Sequence, residues 1–275
     1  MTASVPSPAS FRLDGRVAVV TGAGGKLGPV WVEALTEAGA SVACFDLPGA
    51  STAWAQGLIA RHGSDRVAFG EVDVTSRASL EAALAWCVET LGAPSVLVNN
   101  AGIDAPPYGN APRAPLEDIK PEVWRAVLEV NLVGAFQAAQ VFSRPMVAAG
   151  SGSIVNVGSL YASVSPDARF YAHLGGDPPF LKPPAYGASK AALVSLTQYL
   201  ATHWAPHGVR VNALSPGGVR GGQDPEFVRK FTDRVPLGRM AEAADLKGPL
   251  VFLASDASSY VTGFELRVDG GFTAW

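Results

Sequence analysis

The chain has 275 residues, of which 48% are hydrophobic and 16% charged, with a formal net charge of -3. That is enough apolar chain for one large core, and the near-neutral balance argues against a nucleic-acid binder or a basic membrane-surface protein. Cys44 and Cys87 have no metal-ligand spacing and read as small core residues of a reduced, cytoplasmic protein.

Residues 1–11 open the chain as a flexible segment, rich in Ser, Pro and Ala over its first ten positions and with no apolar core of a signal or anchor. No apolar run reaches the ~18 residues expected of a spanning helix. Arg16–Val20 is a continuous apolar run, the pattern of a strand buried on both faces of a parallel sheet. It leads into Thr21-Gly22-Ala23-Gly24-Gly25-Lys26-Leu27-Gly28, and a helix is predicted over Val30–Ala38, closed by Gly39. Strand, glycine-rich turn and helix together suit a pyrophosphate: backbone approaches closely and the helix end offers free N–H groups. An ordinary glycine turn shares the pattern.

A second strand, Ser41–Phe45, ends in Asp46, where an acid can bind the hydroxyls of an adenosine ribose and would repel a 2′-phosphate. The alternative is an Asp that starts the Pro48-Gly49 turn. Val67–Val72 is a third strand reaching Asp73-Val74, and Leu80–Leu91 a helix that Ser76 or Ser79 can cap. Ser95–Val98 is a fourth strand, followed by Asn99-Asn100-Ala101-Gly102; small residues there suit a ligand, and Asn side chains can tie loops. A Pro-rich loop, 104–121, precedes a long helix predicted over Glu122–Ala149, with a polar Asn131 in its apolar run that needs partners. Ile154–Val157 is the fifth strand and delivers Gly158-Ser159 at its carboxyl end, where open α/β sheets place ligands.

Residues 160–185 read as irregular, long for a loop without function. Tyr186 and Lys190 then lie four apart at the start of a helix and project from one face. A neighbouring cation favours a phenolate, and a phenol poised to exchange a proton near neutral pH suits alcohol-to-carbonyl chemistry. By itself Tyr-x-x-x-Lys equally describes a half-buried Tyr beside a solvated Lys. Val209–Leu214 is the sixth strand, before Ser215-Pro216-Gly217-Gly218-Val219; 220–239 is a flap with one short helix. A helix over Ala241–Ala254 and a last strand, Phe264–Val268, complete one α/β domain, 12–275, with helices on both faces of a parallel sheet.

The glycine turn, Asn99-Asn100-Ala101-Gly102, Ser159, Tyr186 with Lys190, and Pro216-Gly217, in this order, resemble the short-chain dehydrogenase/reductases over nearly the whole chain. The resemblance implies a Rossmann-type doubly wound sheet of about seven strands, a homotetramer or homodimer, and hydride transfer with NAD, or less favourably NADP because of Asp46. It implies a general acid/base role for Tyr186, with Lys190 lowering its pKa and holding the nicotinamide ribose. Ser159 would position the substrate oxygen, and Asn131 would hold a water that links Lys190 to solvent. Gly22, Gly25, Lys26, Leu27 and Gly28 would follow the diphosphate, Asp46 the adenosine ribose, and Asp73 and Val74 the adenine. Asn100, Ala101 and Gly102 would line the cleft, with Pro216 and Gly217 beside Val219, whose backbone would meet the carboxamide. No metal is implied.

Three positions depart from the family pattern. Lys26 stands at the middle glycine of the turn, and Gly221 stands where a Thr five residues after Pro216 often contacts the carboxamide. Ser159 and Tyr186 are 27 positions apart, about twice the usual spacing. The inserted 160–185 loop carries Arg169, His173 and Lys182, which could meet a hydroxylated or anionic substrate; a surface or subunit-contact loop is the alternative. The Phe272–Trp275 tail resembles those of members acting on sugars and sugar acids. The expected function is oxidation of a sugar, sugar acid or polyol. The alternatives are a carbonyl or 3-oxoacyl-thioester reductase and a non-catalytic NAD-sensing protein.

Overall fold

Seven strands assemble in a computed structural model that describes residues 8–104 and 114–275. The strands are β1 (Val17–Thr21), β2 (Ser41–Asp46), β3 (Val67–Glu71), β4 (Val96–Asn99), β5 (Gly152–Val157), β6 (Val209–Pro216) and β7 (Glu265–Val268). All pair in parallel, in the order β3-β2-β1-β4-β5-β6-β7. The helices are α1 (Gly28–Glu37), α2 (Gln56–His62), α3 (Arg77–Thr90), α4 (Pro121–Leu128), α5 (Ala135–Ala149), α6 (Pro184–Trp204), α7 (Pro225–Thr232) and α8 (Ala243–Ala254). The predicted Rossmann-type sheet is the one observed. Of the expected N-terminal segment and Pro-rich loop, residues 1–7 and 105–113 lie outside the described residues.

The strands alternate their side chains between two cores, as period-2 backbone requires. Ala18, Val20, Val42, Cys44, Val96, Val98, Val155 and Leu214 enter one cluster with Trp31 and Leu35 of α1 and Leu246, Leu250 and Leu253 of α8. Val19, Ala43, Phe45, Leu97, Ile154 and Val211 enter the other, with Leu80 and Cys87 of α3, Phe142 and Met146 of α5, and Trp204 of α6. Burial on both faces explains why these strands read as unbroken apolar runs. It also pushes the Cys44 and Cys87 thiols up, Cys87 to about 11, so neither is a reactive thiolate.

The helix expected over 122–149 is broken at Asn131. Glu129–Gly134 forms a π-turn between α4 and α5, a distortion that recurs at functional sites. One stretch, Pro121–Ala149, has the length and composition of a membrane-crossing helix, with a mean hydropathy of 1.2 over an 18-residue window, although Glu129, Asn131, Gln137, Gln140 and Arg144 interrupt its apolar run. Its composition follows from packing, because Ala138, Ala139, Val141, Phe142 and Met146 of α5 are buried under the sheet. Helix α1 starts two residues before the predicted position, at Gly28, with Pro29 in its first turn.

The inserted loop is more ordered than its sequence suggests. It contains two 3-10 turns, Leu160–Ala162 and Ala168–Leu174. A third core joins it to the flap and the tail: Leu160, Phe170, Tyr171 and Phe180 pack with Phe227, Phe231, Val235, Met240 and Phe272. Phe272 stacks on Phe231 at 4.9 Å between ring centroids, and Phe170 meets Phe231 edge-on at 5.7 Å. Insert, flap and tail thus form one aromatic body over the carboxyl edge of the sheet.

Candidate active site

Strand order reverses between β1 and β4, which is where an open α/β sheet leaves a crevice. A cleft of about 1000 Å³ opens there, lined by the carboxyl ends of β1 through β6. It is lined by Gly22, Gly25, Lys26, Leu27, Asp46, Asp73, Val74, Asn100, Ala101, Gly102, Ser159, Tyr186, Lys190, Pro216, Gly217 and Val219. Residues spread over nearly 200 positions of sequence meet because every strand runs the same way. Gly28 stays behind the cleft, and the sequence-predicted Arg169 and His173 do not line it.

The glycine turn is built by sterics. Gly22 has φ +64°, and a Cβ on it would lie 2.8 Å from Ala101 Cα; a Cβ on Gly28 would lie 2.3 Å from the Ala23 carbonyl oxygen. At Gly22 and Ala101 the two loops therefore approach backbone to backbone. Asn100 ties them: its Nδ2 donates to Thr21 O (3.1 Å) and Gly22 O (2.8 Å), and its Oδ1 accepts from Trp31 Nε1 (2.7 Å). Thr21 Oγ1 accepts from Asn100 N and Ala101 N, each at 3.2 Å. At the N-terminus of α1, Leu27 supplies no side-chain cap, so the first-turn N–H groups remain available to an anion.

Asp46 is fixed at the end of β2. Its Oδ2 accepts from Gly24 N at 2.7 Å and its Oδ1 from Leu47 N at 2.8 Å. Asp73 Oδ1 accepts from Thr75 N (2.9 Å) and Thr75 Oγ1 (2.7 Å), while the backbone N–H of Asp73 donates to Ser79 Oγ (3.0 Å). Ser76, not Ser79, caps α3. A backbone cradle, an uncapped helix end and an acid at the tip of β2 together fit a dinucleotide: close approach for its diphosphate and an acceptor for its ribose hydroxyls.

At the other end of the cleft the predicted catalytic side chains converge. Ser159, at the tip of β5, and Tyr186, in the first turn of α6, line the cleft together, close enough for the serine hydroxyl to favour the phenolate. Lys190 is buried one turn further on, its Nζ donating to the Val157 carbonyl at 2.7 Å and lying 5.8 Å from the centre of the Tyr186 ring. Asn131 reaches the same place from the π-turn. Its Oδ1 accepts from Ile103 N (2.8 Å), and its Nδ2 donates to Ile103 O (3.1 Å) and Ser189 Oγ (3.0 Å). A Cβ on Gly102 would lie 3.2 Å from Asn131 Oδ1 and 3.6 Å from Lys190 Nζ. Glycine at 102 thus keeps open the space between the amide and the ammonium.

The electrostatics correct one expectation. Burial, with the Asp104 carboxylate adding to it, pushes the Tyr186 phenol above its ordinary range, and the nearby Ser159 hydroxyl only partly offsets this. The Lys190 ammonium does not make the phenol acidic in the protein alone, because it is itself turned toward a carbonyl. Burial lowers Lys190 to about 8. A phenolate at Tyr186 therefore needs a further positive charge in the cleft.

Of the insert, Tyr161, Tyr171 and Lys182 line the cleft. The Lys182 ammonium is ion-paired with Asp104, its side chain only 8% exposed, and lies 5.1 Å from the centre of the Tyr186 ring. Arg169 instead donates from Nε and Nη2 to Asp167, with its side chain 81% exposed, and His173 pairs with Asp224 at 2.7 Å. Both are held outside by local acids. Asp104 and Tyr161 were not singled out in the sequence; each follows a recognised motif, at Asn99–Gly102 and Ser159, and that adjacency was the available signal. Among the described residues no cluster could hold a metal ion.

A family model described as enoyl-(acyl carrier protein) reductase matches residues 23–273. Galactitol 2-dehydrogenase (L-tagatose-forming) of Cereibacter sphaeroides is 37% identical over 274 residues, covering 96% of this chain and 98% of its own. The NAD-dependent glycerol dehydrogenase of Listeria innocua is 33% identical, covering 96% of each chain. The crystal structure of gluconate 5-dehydrogenase from Burkholderia cenocepacia, in complex with NADP and tartrate, superposes with a TM-score of 0.82 at 33% identity, covering 97% of this chain and 98% of that one. With the sheet order and the Ser159–Tyr186–Lys190 geometry, these likenesses lead to one conclusion: the chain belongs to the short-chain dehydrogenase/reductase family and is an NAD(P)-dependent oxidoreductase acting on CH–OH groups.

Proposed function

We propose that the protein is an NAD-dependent dehydrogenase that oxidises a secondary alcohol of a polyol, sugar or sugar acid. The observation that carries this reading is the meeting of Ser159, Tyr186 and the buried Lys190 in one cleft, whose far end carries the fixed carboxylate of Asp46. A bound nicotinamide dinucleotide supplies the hydride acceptor and, when oxidised, a positive ring beside the phenol. Ser159 Oγ donates to the substrate oxygen and sets its position. The Tyr186 oxygen, as phenolate, takes the hydroxyl proton while the carbinol C–H bond breaks with its electron pair and the carbonyl forms. Lys190 holds ribose hydroxyls and, with Asn131, a proton path through the gap at Gly102. The protein's own contribution is orientation and charge.

Asp46 favours NAD, since a negative charge fixed at the tip of β2 repels a 2′-phosphate. Two buried free thiols fit a cytoplasmic protein. Val123, Trp124 and Val133 on the Pro121–Ala149 segment and Tyr199 on α6 are exposed, and they support a homodimer or homotetramer formed through these helices. A monomer mass by light scattering would remove that assembly.

The test is NADH production over a panel of polyols, aldoses and aldonates with NAD and with NADP. A polyol or aldonate is expected to lead, with NAD preferred; activity confined to NADPH-driven ketone or thioester reduction would overturn the reading. On the best substrate, Lys182→Met should raise KM about tenfold, the effect of losing one charge-assisted hydrogen bond. Arg169→Ala should leave KM unchanged within about twofold, since the cleft does not include it. The reverse order would exchange their places.

A further inference from the structure

Two of the three departures from the family pattern meet in space. Lys26, at the middle position of the glycine turn, is exposed, yet it leans back over the cleft that it lines. Its side chain crosses to the loop after β6, where Nζ donates to the Val219 carbonyl at 3.5 Å. Gly221 lies directly beneath it: a Cβ built there would be 2.9 Å from Lys26 Cε and 3.3 Å from Lys26 Nζ. The lysine methylenes thus occupy the volume that a side chain at 221 would fill. A larger residue at 221 would dislodge the end of Lys26, and glycine at 26 would leave a gap over Gly221. Lys26, Val219 and Gly221 all line the cleft. Val219 and Gly221 follow β6, several strands away from Asp46 on β2, and the end of Lys26 reaches across to them from the turn after β1. Burial and the nearby Lys182 ammonium push Lys26 below its ordinary pKa, and Asp104 opposes this, so the lysine shares one electrostatic neighbourhood with the reacting end.

We propose that Lys26 and Gly221 are a single coupled substitution, in which the lysine folds across the turn and supplies, from the opposite wall, the donor for the nicotinamide half of the cofactor that a side chain at 221 would otherwise provide. This rests on the cleft binding a nicotinamide dinucleotide. An ammonium has three donors and no acceptor, so the contact is to the carboxamide oxygen of the nicotinamide, a group that ADP-ribose lacks. The Val219 carbonyl takes one donor and the others remain free to bind.

The test is a double-mutant cycle on the full chain, read by NADH fluorescence and by ADP-ribose competition, with melting curves to confirm folding. Lys26→Gly and Gly221→Thr should each weaken NADH binding about tenfold, one hydrogen bond's worth. The pair K26G/G221T should recover to within about threefold of wild type, a non-additivity expected only of residues in contact. Lys26→Met keeps an apolar chain of similar length without the donor and should lose as much as Lys26→Gly. Affinity for ADP-ribose, which lacks the nicotinamide, should not change. Additive losses in the double variant, a Lys26→Met variant that binds NADH normally, or equal losses for NADH and ADP-ribose would each overturn the proposal. Wild-type protein that binds neither ligand would instead refute the cofactor reading on which it rests.

Discussion

Replacing Tyr186 with Phe is expected to lower kcat/KM by about 10²–10⁴-fold, the range for removing a general acid/base, while NADH affinity stays within about twofold. The two outcomes separate because the ring and its oxygen have different work. The ring lies 5.1 and 5.8 Å from the ammonium nitrogens of Lys182 and Lys190, and phenylalanine retains those contacts. The oxygen faces the cleft beside Ser159 and is the group that would meet the substrate hydroxyl. Measuring steady-state turnover beside NADH fluorescence titration checks both. A variant retaining more than a tenth of wild-type activity would move the proton transfer to another residue.

Lys190→Met should abolish useful turnover and also change how stability depends on pH. Burial holds the Lys190 ammonium at about 8, whereas the unfolded chain keeps the proton to about 10.4. Below pH 8 lysine is charged in both states, and the cost of burying that charge is fully present. Between pH 8 and 10.4 the unfolded state binds more protons than the folded one, so this group makes stability rise with pH. The shift is worth on the order of 3 kcal/mol, several degrees of Tm for a chain of this size. Wild type should therefore gain those degrees relative to the Met variant between pH 7 and 10.5. The comparison cancels Tyr186, which both proteins carry. The variant also leaves the Val157 carbonyl without its donor, a pH-independent loss on the order of 1–3 kcal/mol. A Tm difference that stays constant with pH would mean that Lys190 titrates like an exposed lysine.

The sheet was legible because parallel strands buried on both faces leave continuous apolar runs, and β1, β2, β4, β5 and β6 are such runs. Ser159, Tyr186, Lys190 and Asp46 were legible because local structure places them: a strand tip, the first turns of a helix, a strand tip again. What stayed hidden depends on contacts made across the chain. Arg169 and His173 have side chains suited to a substrate, yet Asp167 and Asp224 hold them outside the cleft. Lys182, with the same chemistry, is drawn inward by Asp104, 78 positions away. The π-turn at Asn131 has no local signal, because its distinguishing bonds run to Ile103 and Ser189. The coupling of Lys26 with Gly221 also escaped the sequence, where each looked like an isolated loss. The order within 160–185 comes from aromatic partners at 227, 231 and 272, which no reading of the loop alone supplies.

Direct transfer of hydrogen tests the whole account. A polyol deuterated at its reacting carbinol carbon, incubated with the protein and NAD, should yield NADH carrying one deuterium on a single face of the nicotinamide ring, and Tyr186→Phe should suppress that transfer. Deuterium released to water, or NADH formed equally well by the Phe variant, would contradict a site in which the phenol of Tyr186 takes a proton as hydride leaves the same alcohol.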